Sequence, residues 1–249
     1  MPRISEWPGE LRERTDFTVR ALHDAVRDKV IPAFANIRQE TKAVYRAQLE
    51  ELRRLEADGR LGDLTAEGEA SLEAQCYEVG METARQTVLN GFVVVLWHIV
   101  HQQLLAFGQR LDVSRTERIE VLDREISRRY GIRLRSLKSW ALLRELWCTA
   151  NAIKHGDGPS CRALRRRRPD LFDRARVRNK KRALLLESIG LSSMALELSR
   201  MPTRAWPVVA PLSRHEIEIQ PADLDKYFKA VALFWHELSD QVETLEREH

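Results

Sequence analysis

Phe92-Val-Val-Val-Leu-Trp-His-Ile-Val100 is apolar on nearly every face of a helical projection. A helix that is hydrophobic all round belongs at the centre of a bundle. The stretch sits inside a longer helical pattern over residues 65–110, opened by Thr65 as a candidate N-cap with Glu67 and Glu69 in its first turn. The apolar run from residue 91 to 100 contains His98 and is too short to span a bilayer. No apolar segment follows a basic N-terminus. The expectation is a cytoplasmic chain with no signal peptide and no membrane partner.

The surrounding sequence extends the helical reading. Of the 249 residues, 43% are apolar and 31% charged, enough to bury a sizeable core, and with 11 Gly and 9 Pro the chain is short of turn formers. Leu11, Phe17, Leu22, Val26, Val30, Phe34 and Ile37 repeat at helical spacing, continued by Leu49, Leu52 and Leu55, so residues 9–57 read as a long helix. Pro32 should kink or break it, because proline lacks the donor and clashes with the preceding turn. Ser114 is expected to cap a third helix ending at Tyr130, with Gly131 as its stop, and Ser136 a fourth reaching His155. An apolar run over residues 183–198 is broken near Pro202 and Pro207, residues 215–220 alternate like a short strand, and Asp223 opens a last helix. The predicted architecture is all-α, with residues 1–62 as an N-terminal helical extension and 63–249 as the main domain, carrying a basic loop over 156–182.

Charge is unevenly distributed. Between Arg162 and Arg182 stand eleven Lys/Arg (Arg162, Arg165, Arg166, Arg167, Arg168, Arg174, Arg176, Arg178, Lys180, Lys181 and Arg182) against Asp170 and Asp173, about +9 in all. The rest of this +4 chain therefore carries about −5. A local positive field points to a surface for phosphates, and hence to RNA as partner. Trp206 between prolines is able to stack on a base, with a buried wedge as the plainer reading.

Asn151-Ala-Ile-Lys-His155-Gly156 closes the fourth helix beside that basic segment. Asn151 and His155 share a helix face, with Lys154 next to them. A histidine in the last turn is well placed as a proton carrier or phosphate contact, so His155, Asn151 and Lys154 are the candidate catalytic residues. Capping of the helix end by these same polar groups is the plainer alternative. Cys76, Cys148 and Cys161 form no paired spacing; Cys76 and Cys148 read as core, Cys161 as exposed beside the basic loop. His98 and His101 lack acidic or thiol companions and read as core histidines, so no metal site and no cofactor are expected. Common phosphate-loop, hydrolase and dinucleotide motifs are absent.

Leu143-Arg-Glu-Leu146, Asn151-Ala-Ile-Lys-His155-Gly, then Leu164 and Pro169-Asp-Leu-Phe172 resemble the HEPN superfamily, with Trp97-His98 and Tyr130-Gly131 upstream fitting the same arrangement. The resemblance covers roughly residues 80–172. It implies a helical bundle that acts on RNA as a homodimer, in bacterial toxins, antiphage systems or RNA processing. It also implies metal-independent cleavage centred on His155, aided by an arginine upstream. Positions 148 to 150 hold Cys148, Thr149 and Ala150 instead, and the nearest upstream arginine is Arg144. A cation from Arg162 or Arg165–Arg168, of this chain or a second copy, would then be needed. Three readings follow: an endoribonuclease effector; a catalytically inactive RNA- or protein-binding regulator of the same fold, with a regulatory protein partner; or an interaction protein that assembles through its N-terminal helices.

Overall fold

The computed structural model describes residues 6–60, 65–113, 119–156, 158–188 and 217–247. Trp206, Ser114 and most of the 183–198 run lie outside these residues. The fold is all-α. In chain order its helices are α1 (Glu6–Ala25), α2 (Ile37–Ala57), α3 (Ala66–Arg110), α4 (Ile119–Tyr130), α5 (Trp140–His155), α6 (Pro159–Arg167), α7 (Pro169–Ser188) and α8 (Pro221–Arg247).

Pro32 divides the first helical run as its chemistry requires. The chain widens into a π turn over Val26–Val30, tightens into a 3₁₀ turn over Pro32–Phe34, and restarts as α2. Both deviations absorb the hydrogen bond that proline cannot donate. Within the first sixty residues, α1 and α2 find different partners. α1 runs antiparallel to α8, with His23 Nε2 at 2.7 Å from Asp225 Oδ1 and His236 Nε2 at 3.6 Å from Asp16 Oδ2. Its Val19, together with Val26 of the π turn, enters the common core. α2 packs instead along the first half of α3, tied by Arg53 to Glu67 (2.7 Å) and by the Tyr77 hydroxyl donating to Glu40 (2.8 Å).

α3 is about 68 Å long at 1.5 Å per residue. The Thr65 hydroxyl accepts from Gly68 N at 3.2 Å, so the cap read from the sequence is in place. Apolarity here extends further than residues 91–100. Among the described residues α3 is the one helix long and apolar enough to cross a membrane, with a mean hydropathy of 1.4 over 18 residues. In this fold its second half is central: Val93, Leu96, Val100, Leu104 and Phe107 are fully buried, against α5 and α8. α8 supplies Tyr227, Phe234 and Trp235, among the largest buried side chains, each contributing about 1.5–3 kcal/mol by leaving water. Gly108 lets α4 approach, since a Cβ there would lie 2.4 Å from Leu122 Cδ1.

Gly131 stops α4 at φ +72°, as expected. The next helix starts later than Ser136, which belongs to a 3₁₀ turn over Leu134–Ser136. Ser139 occupies the cap position of α5, and its backbone N (3.0 Å) and hydroxyl (2.6 Å) both donate to Glu237 on α8. Residues 217–220 are extended coil, joined to α7 where Glu218 N donates to Leu171 O at 3.0 Å. No strand forms among the described residues. α8 opens at Pro221, and Asp223 reaches back to accept from Gln220 N at 3.0 Å.

Candidate nucleic-acid interface

The segment expected as a basic loop is helical: α6 and α7 account for nearly all of it. α5 ends at Gly156, whose φ of +80° and ψ of −142° suit only a residue without a Cβ. Gly158 and Pro159 then start α6, proline costing nothing at a first helical position. α6 folds back along α5, burying Cys161 and Leu164 against it. The hairpin is locked at its far end by Arg168, the residue just after α6.

Arg168 does not face solvent. Its guanidinium reaches Glu145 Oε1 and Asp223 Oδ1, each at 2.5 Å, and forks onto both oxygens of Asp170 at 2.8 Å. The Glu145 and Asp223 side chains are 10% and 8% exposed. Glu145 also takes Lys226 Nζ at 3.0 Å and the Tyr227 hydroxyl at 3.2 Å, and Asp223 takes Arg174 at 2.7 Å. Hydrogen bonding to Asp170, then to Asp223 and Glu145, raises the Arg168 pKa against the opposing cost of burial. The same fork holds the Asp170 carboxyl below its ordinary range. Burial chiefly pushes the Tyr227 hydroxyl well up, keeping it a neutral donor. Arg178 is also turned inward, onto Gln86 Oε1 (3.2 Å) and Glu218 (3.5 Å), and burial lowers its pKa. Arg168, Arg174 and Arg178, expected on the RNA-binding surface, are therefore internal ties between α5, α7, α8 and the 217–220 segment. Carboxylates distant in sequence claim them.

The other cations divide differently. Arg162, Arg166 and Arg167 on α6 are exposed and have no acidic partner among the described residues. Arg165 lies over the Phe172 ring at 4.3 Å from its centroid, a cation–π contact that leaves its charge near the surface. Arg176 pairs with Asp173 at 3.3 Å on the open face of α7, and Lys180 is exposed on the same helix. Lys181 and Arg182 belong to α7, with their side chains outside the described set.

His155 and Lys154 are exposed and Asn151 is half-buried at the end of α5; none has a hydrogen-bond or ion-pair partner among the described residues. Because α6 runs antiparallel to α5, its first turn lies near His155 and its last near Arg144. Arg144 is exposed and was not among the expected contacts. Arg167 and Arg144 both act on the Cys148 thiol, which burial pushes up and these two cations pull back. The hairpin therefore carries the exposed His155 and Lys154 near one end and the exposed Arg167 and Arg144 near the other.

Several other assignments change. Cys161 is buried and Cys76 is exposed, the reverse of the expected order, while Cys148 is buried as read. His98 is exposed, not a core residue, and His101 stacks on Trp97 with centroids 5.9 Å apart. No cluster of three His, Cys, Asp or Glu suited to a metal occurs among the described residues. Two features escaped the sequence reading. One is Glu145, an acid at a buried position of an apolar helix, which was the available signal for an internal ion network. The other is Trp140, Arg144 and Trp147 at i, i+4 and i+7, one face of α5 turned toward Trp97. No family model, no curated protein and no solved structure matches the chain.

Proposed function

We propose that this chain is an RNA-binding helical-bundle protein of HEPN-like type, which grips the phosphate backbone with the α5–α6 hairpin. One observation carries the reading: Arg162, Arg166, Arg167 and Lys154 are exposed and have no acidic partner among the described residues, while neighbouring arginines are consumed internally. Cations held on a fixed scaffold release counterions from a polyanion without losing much of their own freedom. Phosphate contacts of this kind position a strand and carry little sequence preference. Binding to single-stranded RNA should weaken with salt by a log–log slope of about −0.7 per phosphate contact. Removing two cations in Arg166→Ala/Arg167→Ala should then flatten the slope by about 1.4. An unchanged slope in the double variant would remove the support for this surface.

The exposure of His155 beside Lys154 favours a second reading, a metal-independent endoribonuclease effector of toxin or antiphage defence. A 2′-hydroxyl would attack the adjacent phosphorus and break its bond to the 5′-oxygen, leaving a 2′,3′-cyclic phosphate and a 5′-hydroxyl; His155 would move a proton, and Lys154 or an α6 arginine would balance charge on the non-bridging oxygens. Among the described residues no second acid–base group stands beside His155, so a second copy of the chain would complete the site. Total RNA incubated with EDTA separates the two readings. Loss of cleavage in His155→Ala, with 2′,3′-cyclic phosphate ends from wild type, establishes the nuclease; salt-dependent binding without cleavage establishes the regulator.

A further inference from the structure

α8 has two partners on two faces. Its Lys226 and Tyr227 turn to Glu145 of α5, while Phe228, Lys229 and His236 turn to α1. Between α1 and α8 lies a groove of about 410 Å³. Volumes of roughly 300–1,000 Å³ are usual for small-molecule sites. The groove exists because α1 is thinly anchored. Thr15 and Val19 are its buried residues among those described, and Asp16, Arg20, His23 and Asp24 are what it adds to the lining. Val19 and Phe228, both buried, make an apolar floor.

Most of the charges around this groove are already spoken for. Arg27, in the π turn after α1, holds Asp24 at 3.1 Å and Asp28 at 2.7 Å. Asp28 lies outside the lining and is also under the influence of Lys29. His23 Nε2 reaches Asp225 at 2.7 Å, its Nδ1 is 4.0 Å from Asp24, and its ring rests on Phe228 with centroids 4.7 Å apart. His236 Nε2 is 3.6 Å from Asp16. Each of these carboxylates therefore has a basic partner. Arg20 and Lys229 line the groove from its two facing helices, and neither has an acidic partner among the described residues. Both stand between the two histidine–aspartate ties: Arg20 between Asp16 and His23 on α1, Lys229 between Asp225 and His236 on α8. α3, which also packs on α1 and α8, brings no charge into the lining. Arg20, Arg27 and Lys229 balance Asp16, Asp24 and Asp225, so the groove is neutral with uncharged imidazoles and carries two positive charges when both are protonated.

We propose that this groove binds the phosphate of a small phosphate ester between Arg20 and Lys229, and that a proton is taken up on His23 or His236 with it. An anion placed between the two cations favours the charged form of each imidazole, and a charged imidazole in turn favours the anion. A protonated imidazole donates from both ring nitrogens, so His236 can keep Nε2 on Asp16 while its Nδ1–H is free for a phosphate oxygen. The apolar floor takes the carbon part of the ester. Held from both walls, the anion also ties α1 to α8. This site shares no residue with the RNA surface on α5 and α6.

Sulfate is the first probe, because it stays a dianion from pH 6 to pH 8 and any pH response then belongs to the protein; phenyl phosphate is the second. Histidine resonances of the full chain, followed by NMR at constant ionic strength, should shift as either is added. Sulfate should bind about 10-fold more tightly at pH 6 than at pH 8, the effect of one histidine whose proton affinity rises tenfold in the complex. Arg20→Gln and Lys229→Gln should each weaken binding about 10-fold at pH 6, as loss of a charge-assisted contact does, and leave RNA affinity unchanged. Amide exchange over α1 of wild type should slow with phenyl phosphate present, a readout that needs no variant. Histidine resonances indifferent to millimolar sulfate and phenyl phosphate overturn the site, as does binding that survives both substitutions intact. Equal affinity at pH 6 and pH 8 overturns the coupling to the histidines. Displacement of phenyl phosphate by a single-stranded RNA octamer assigns the groove to the RNA backbone and overturns a separate small-ligand site.

Discussion

Arg168→Ala is the sharpest test of how the arginine run is divided. In the native protein this guanidinium, 14% exposed, sits against Glu145, Asp170 and Asp223. Truncation leaves two nearly buried carboxylates short of their main countercharge. Removing one member of a buried ion pair costs about 3–5 kcal/mol when nothing replaces it. Here Glu145 retains Lys226 and Tyr227, and Asp223 retains Arg174 and the Gln220 backbone N–H. Those residual partners bring the expected loss to about 2–4 kcal/mol. For a chain of this length, a loss of about 3 kcal/mol lowers the melting temperature by roughly 6–12 °C. Guanidinium unfolding followed by circular dichroism should show a lower midpoint with an unchanged slope. Arg166→Ala, two residues away, should shift stability by no more than about 0.5 kcal/mol and instead weaken RNA binding. The result that refutes the reasoning is a stable Arg168→Ala protein that has lost RNA affinity as steeply as Arg166→Ala.

The same network predicts a pH response. Arg168 depresses the Asp170 pKa, so the unfolded state binds the proton more readily. The stabilisation is present above the ordinary aspartate range and disappears as pH falls through the depressed folded value. Unfolding midpoints between pH 5 and pH 2 should fall for wild type and fall less for Asp170→Asn. Thiol titration should find one fast-reacting cysteine, Cys76, in the native protein and all three after denaturation, since Cys148 and Cys161 are buried; two fast thiols would contradict the packing of α6 on α5. Gly156→Ala forces a left-handed conformation on a residue with a Cβ, at a cost of about 1–3 kcal/mol. It should also tilt α6 away from His155, weakening RNA binding more than the stability loss explains, as measured at a temperature where the variant is fully folded.

Helices were legible in the sequence because their causes are local. The span of α3, the Thr65 cap, the break at Pro32 and the stop at Gly131 each follow from one residue's backbone chemistry or from a 3.6-residue period. The end of α5 at Gly156, and with it the exposed Lys154–His155 pair, was equally local. Where local signals compete, the reading slipped. A dense run of arginine reads as loop when charge is counted, yet Pro169 starts a second helix and Leu164, Leu171 and Phe172 bury one face of each.

Which arginines remain available to a ligand was decided only by tertiary structure. Arg166 and Arg168 are the same side chain two positions apart. What separates them is that Glu145 and Asp223, 23 residues before and 55 after, meet at Arg168, with Asp223 also holding Arg174. The grouping of tryptophans has the same origin: α5 determines that Trp140, Arg144 and Trp147 share a face, but only the packing of α3 and α4 brings Trp97, Ile119 and Glu120 beside it. A sequence specifies helices through contacts a few residues long. Burial and countercharge depend on residues that only the folded chain brings together.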